Sequence, residues 1–195
     1  GTFHLTNIQN SNDFKEQKMC IKGRATPWVY VTPPTPRRGK SITYMAQSLC
    51  KIYIHLIFHI KTTSPQIREE DINRVHSYIG KLVNATGCKE ICAGGVGDHI
   101  HLLFLLSREA NVSKVVEEVK RNSSRWLKTL GSYYHCFSWQ GGYAAFSVSQ
   151  SVVGKTLQYI RQQHEHHMKH SFADEYRAFL KLYNVEYDER YVFVD

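Results

Sequence analysis

Along the 195-residue chain, apolar and polar positions fall into regular periods only from Met45 onward. Cys50 to Ile60 (CKIYIHLIFHI) is apolar and rich in β-formers, which predicts a buried strand. Between Glu69 and Thr86, Ile72, Val75, Ile79, Leu82 and Val83 share one helical face, and Gly87 is placed to end that helix. Cys88 to Gly95 and Asp98 to Leu106 predict a second and a third strand, joined through Gly94-Gly95-Val96-Gly97 as a hairpin turn. A second helix is expected over Asn111 to Leu130, capped by Asn111 and closed by Gly131. A fourth strand falls within Ser138 to Ser149, with Tyr143, Phe146 and Val148. A third helix is expected from about Ser149 to His167, and Ser171 to Asp195 adds a short helix and an aromatic end.

The order β-α-β-β-α-β predicts an α+β fold of the ferredoxin-like or RRM-like kind. Such a fold is an antiparallel sheet with helices on one face; here an additional C-terminal helix carries Tyr159. The plan hosts many activities and names none of them. Residues 1–44 stand apart. Pro27, Pro33, Pro34 and Pro36 fall here, followed by Arg37, Arg38, Gly39 and Lys40, with no helical or strand period. They predict an irregular Pro-rich basic extension ahead of a domain over residues 45–195.

Composition narrows the partners. A chain that is 42% hydrophobic and 22% charged is globular rather than disordered. The formal net charge of +8 favours a polyanion, because Lys and Arg displace counterions from phosphates. The five cysteines are odd in number and include no CxxC pair, which suggests reduced thiols in a cytoplasmic protein and no structural zinc. Apolar runs are too short for a membrane span, and no secretory signal is evident. Gly94-Gly95-Val96-Gly97 lacks the Lys-Ser/Thr of a phosphate-binding loop, so no nucleotide cofactor is expected.

Two histidines offer chemistry. His99 and His101 are two apart on the third predicted strand, so their imidazoles share one face and could clamp a metal ion. Ile100 points the other way, into the core. The strand continues as Leu102-Leu103-Phe104, and burying two histidines there without partners would be costly. On the third helix, Tyr159 and Gln163 are four apart and fall together at one edge of the stripe formed by Val152, Val153, Leu157 and Ile160. Lys114, Arg121, Arg125 and Lys128 form a basic stripe on the second helix, opposite Val115, Val119, Trp126 and Leu130. That stripe is either a solvated face or a phosphate-tracking surface. Among His164, His166, His167 and His170, His164 and His167 are expected to continue the apolar stripe; a second metal site is not expected.

Three segments together carry a resemblance: Gly94-Gly95-Val96-Gly97-Asp98-His99-Ile100-His101-Leu102-Leu103, then Trp139-Gln140-Gly141-Gly142-Tyr143-Ala144-Ala145-Phe146-Ser147-Val148-Ser149, then Tyr159-Ile160-Arg161-Gln162-Gln163-His164-Glu165-His166-His167. In order and spacing they resemble the single-tyrosine transposases of bacterial insertion sequences, members of the HUH superfamily (histidine, bulky hydrophobic, histidine). The resemblance covers about Met45 to Phe193. It implies that His99, His101 and Gln163 bind Mg²⁺ or Mn²⁺ and that Tyr159 attacks the scissile phosphate of single-stranded DNA. It further implies a 5′-phosphotyrosine link, a free 3′-OH, a homodimer in which the tyrosine helix can complete the partner's site, and recognition of imperfect hairpins near element ends. Alternatives are a domesticated HUH nickase that processes repetitive hairpins, or a non-catalytic single-strand binder on an RRM-like sheet. The binder would expose aromatics on its sheet, where this chain places histidines.

Overall fold

The computed structural model describes residues 49–167 and 171–193. The extension expected over residues 1–44 lies outside them, as does His170. Strand β1 (Ile52–His59) leads to helix α1 (Glu69–Ala85), then to strands β2 (Lys89–Gly95) and β3 (His99–Leu106). Helix α2 (Val112–Lys128) and strand β4 (Ala144–Val148) follow, then helices α3 (Val153–Arg161), α4 (Gln163–His167), α5 (Phe172–Leu182) and α6 (Glu189–Val192). The sheet order is β2-β3-β1-β4 and every neighbouring pair is antiparallel, which is what the β-α-β-β-α-β connectivity requires.

Local sequence accounts for the element ends. Asn111 caps α2, its side chain accepting from the Ser113 N–H at 2.9 Å. Gly87 takes φ +80° directly after α1, a conformation that a side chain would strain. Among the described residues, no helix is long and apolar enough to cross a membrane, and Cys50, Cys88, Cys92 and Cys136 are free thiols.

The sheet has two different faces. Ile54, Leu56 and Phe58 of β1 and Ile100, Leu102 and Phe104 of β3 pack with Val75, Ile79 and Val83 of α1 and Val115, Val119 and Leu127 of α2. The alternate positions, His55, Ile57, His59, His99, His101 and Leu103, face the other side and are also buried. Beyond α1 and α2, which lie on one face as the plan expects, the second face is covered too. Helices α3 and α5 cover the second face, with Ile160 against Leu103 and with Tyr176 and Leu180 against Ile57 and Phe146. The reason lies in the second parity, where Ile57, Leu103, Phe146 and Val148 stand beside the four histidines and are apolar enough to need cover as well.

The segment between α2 and β4 packs on the first face. Trp139 stacks edge-on against Phe58 and Phe137 and donates from Nε1 to the Ser123 hydroxyl at 2.9 Å. Lys120 donates to the carbonyls of Gln140, Gly141 and Gly142. The Trp139–Ser149 motif thus positions β4, and Trp139 is part of the core on the face opposite the histidines.

Candidate active site

His99 and His101 sit on the covered face of β3, fully buried and paired in register with His59 and Ile57 of β1. Each ring is held from behind through Nδ1. His99 Nδ1–H donates to the Asp98 carboxylate at 2.6 Å, since a carboxylate only accepts. A neutral His99 therefore carries its lone pair on Nε2. His101 Nδ1 lies 3.0 Å from His55 Nε2, and the two rings stack with centroids 5.2 Å apart. Burial pushes the His55 imidazole down to about 4.

Two oxygen-bearing side chains meet the Nε2 atoms from above. Gln163 donates from Nε2 to Glu175 Oε1 at 2.9 Å. That bond fixes the amide orientation, because the opposite flip would set two acceptors face to face. Gln163 Oε1 is then turned to His99 Nε2 at 3.3 Å. Glu175 approaches His101 Nε2 at 3.4 Å and His99 Nε2 at 3.7 Å. Burial pushes its carboxyl up to about 7, partly offset by His99. Ligand atoms of His99, His101 and Glu175 lie within 4.8 Å of one another. Two imidazole nitrogens with amide and carboxylate oxygens form a donor set suited to Mg²⁺ or Mn²⁺. The residues present fit a divalent ion.

Tyr159 lies beside this cluster in the same chain. Its ring stands edge-on to His101, with centroids 5.8 Å apart, and to Phe179 at 5.6 Å. The helix that carries it is shorter than expected. α3 ends at Arg161, where the Gln162 N–H bonds back to Gln158 and Tyr159, and Gln163 opens a separate helix. Tyr159 and Gln163 thus share the site without sharing a helix. The break resets the helical phase, so His164 is exposed rather than continuing the apolar stripe; the side chains of His166 and His167 lie outside the described residues.

A family model described as "Transposase IS200 like" matches residues 48–163. The chain belongs to the IS200-like transposase family. A search of curated proteins returned no match. Among solved structures, one from Deinococcus radiodurans assigned as a transposase is similar at 19% identity and a TM-score of 0.47, covering 61% of this chain and 98% of that one. A REP-associated tyrosine transposase bound to a REP hairpin is similar at 12% identity and a TM-score of 0.47, covering 65% of this chain and 74% of that one.

In this IS200-like chain, Gly94 brings the tyrosine helix close. It pairs with His101, and a Cβ there would overlap the Ile160 carbonyl and come within 2.7 Å of Ile160 Cγ2. Gly94→Ala should therefore push α3 outward and cost about 1–3 kcal/mol. Thermal unfolding would show that loss; an unchanged midpoint would mean that α3 is not held by this contact.

Sequence reading missed Glu175, His55 and Asp98 as parts of the site. Glu175 had a weak signal, because it borders the apolar stripe Phe172, Tyr176, Phe179 and Leu180 of α5. His55 had none beyond its place in a buried strand. The basic stripe of α2 contains its own counterions. Lys114 pairs with Glu117 at 2.9 Å, and Arg121 pairs with Glu117 and Glu118. The stripe also lies on the helix layer across the sheet from the histidines.

Proposed function

We propose that this chain cleaves and rejoins single-stranded DNA at hairpin-bearing element ends, with Tyr159 as nucleophile and His99, His101 and Gln163 holding Mg²⁺ or Mn²⁺. The observation that carries the reading is the Tyr159 phenol ring beside a buried His99–His101 pair whose Nε2 atoms face oxygen donors. The phenol oxygen forms a bond to phosphorus while the bond from phosphorus to the 3′ oxygen breaks. The phenol gives up its proton and the departing 3′ oxygen gains one, leaving a 5′-phosphotyrosine and a free 3′-OH. Strand transfer reverses the step on another 3′ end, so rejoining needs no ATP. A bound divalent ion supplies compensation for charge developing on the phosphate oxygens. Asp98 and His55 keep the two imidazoles oriented, and packing against Phe179 and the apolar cluster around Leu103 keeps the phenol near them.

By the family resemblance, the working unit is a homodimer that recognises imperfect hairpins, and its substrate places it in the cytoplasm. The test is a denaturing gel of labelled hairpin DNA from the gene's flanks, with Mg²⁺ or with EDTA. A protease-sensitive adduct that EDTA suppresses is expected. Tight binding without an adduct would favour a non-catalytic binder, although α3 and α5 cover the sheet face that a stacking binder needs. Adduct formation without flanking recombination sites would favour a domesticated nickase.

Lys114, Arg121, Arg125 and Lys128 are proposed as phosphate contacts for the hairpin stem. Replacing Arg121, Arg125 and Lys128 by Ala should lower the slope of log K against log salt by about 2, at roughly 0.9 for each phosphate that is no longer neutralised. We expect most of that from Arg125 and Lys128, since Arg121 is shared with glutamates of its own helix. An unchanged slope would make the stripe a solvated face.

A further inference from the structure

The family match ends at Gln163. Glu175, which touches both candidate metal-ligating histidines, is delivered by α5, beyond that region. We propose that Glu175 is an anionic ligand of the ion and that ion binding and docking of α5 on the sheet are one coupled equilibrium. The proposal rests on the metal site described above and deepens it.

Three observations support it. First, the position is chemically specific. The carboxylate is almost fully buried, with one oxygen toward His101 and the other toward His99. With Asp98 accepting from His99 Nδ1, a neutral His99 turns a lone pair toward both Gln163 Oε1 and the Glu175 carboxylate. Two imidazole nitrogens, an amide oxygen and a carboxylate converging in a dry site make a donor set suited to a divalent cation. Second, Glu175 is itself aimed. The Gln163 amide donates to Oε1 at 2.9 Å, and Ser171 caps α5 by accepting from the Asp174 N–H at 3.2 Å. Third, α5 is seated on the site by its neighbours in sequence. Phe172 stacks on His99 with centroids 4.5 Å apart, and Phe179 lies edge-on to His55.

The four protein donors would leave positions open in a six-coordinate shell, so a substrate oxygen still has room. The added negative charge would strengthen retention of a divalent cation, because affinity at oxygen-rich sites rises with ligand charge. Linkage then follows: if the ion binds better with α5 docked, the ion must stabilise docking by the same factor.

The experiment uses the full chain without DNA. Mn²⁺ binding is measured by titration calorimetry, and hydrogen exchange of α5 amides is followed with and without Mn²⁺. The proteins are wild type, Glu175→Gln, Glu175→Asp and His101→Ala. Wild type should bind Mn²⁺ and slow α5 exchange on binding. Glu175→Gln should bind at least about tenfold more weakly, the loss typical even for partners outside the ligand shell, and its α5 exchange should no longer respond. Glu175→Asp should keep part of the response because it keeps the charge. Equal affinity in wild type and Glu175→Gln, or wild-type α5 exchange indifferent to Mn²⁺, would overturn this proposal and leave the histidine site standing. Failure of wild type to bind, or undiminished binding by His101→Ala, would instead overturn the metal site itself.

Discussion

Tyr159→Phe is expected to bind hairpin DNA as tightly as wild type and to form no covalent adduct. The substitution removes one oxygen and leaves the ring, so the edge-on contacts to His101 and Phe179 persist. Stability should change by no more than about 1.5 kcal/mol, the upper scale of one hydrogen bond. The chemistry should fall by about 10⁶-fold, the scale of removing a covalent nucleophile, which puts it below detection on a gel. Two measurements check this: a gel-shift titration for binding and a denaturing gel for the adduct. An adduct that survives in the Phe variant would assign the nucleophile elsewhere. Weakened binding would mean that the hydroxyl also contacts DNA.

The second large effect is expected for His101→Ala. Cleavage should drop by about 10²–10³-fold, the cost of losing one preorganised electrostatic contribution at a reacting phosphate, and the remainder should no longer depend on Mg²⁺ or Mn²⁺. The fold should survive. Ile100, Leu102 and Phe104 of the same strand pack on the opposite face with α1 and α2, and the substitution does not touch that layer. Circular dichroism and a thermal melt would verify folding beside the gel assay. Undiminished, metal-dependent activity in a folded His101→Ala protein would remove His101 from the site.

The histidine pair shows how far a local pattern reaches. Alternation on a strand puts residues two apart on one face, so the shared face of His99 and His101 and the core position of Ile100 follow from spacing alone. The α2 face opposite the basic stripe was legible for the same reason, since Val115 and Val119 are buried where the helical period puts them. The charge on the other face was less legible, because Glu117 and Glu118 neutralise part of it through pairs three and four residues apart. Helical period also misled beyond Gln162, where a break that no Pro or Gly announces turns Gln163 inward and leaves His164 outside.

By itself, the sequence determined the order of strands and helices as far as the break at Gln162, the shared face of His99 and His101 and the family to which the chain belongs. These depend on periodicity and on motifs whose members are close together or keep a fixed order. Only the tertiary structure decided that α5 closes over the second face of the sheet, that Glu175 meets His99 and His101 there, and that His55 backs His101. Those contacts join segments far apart in the chain. Their geometry is set by packing both faces of one sheet, a constraint that no local period records.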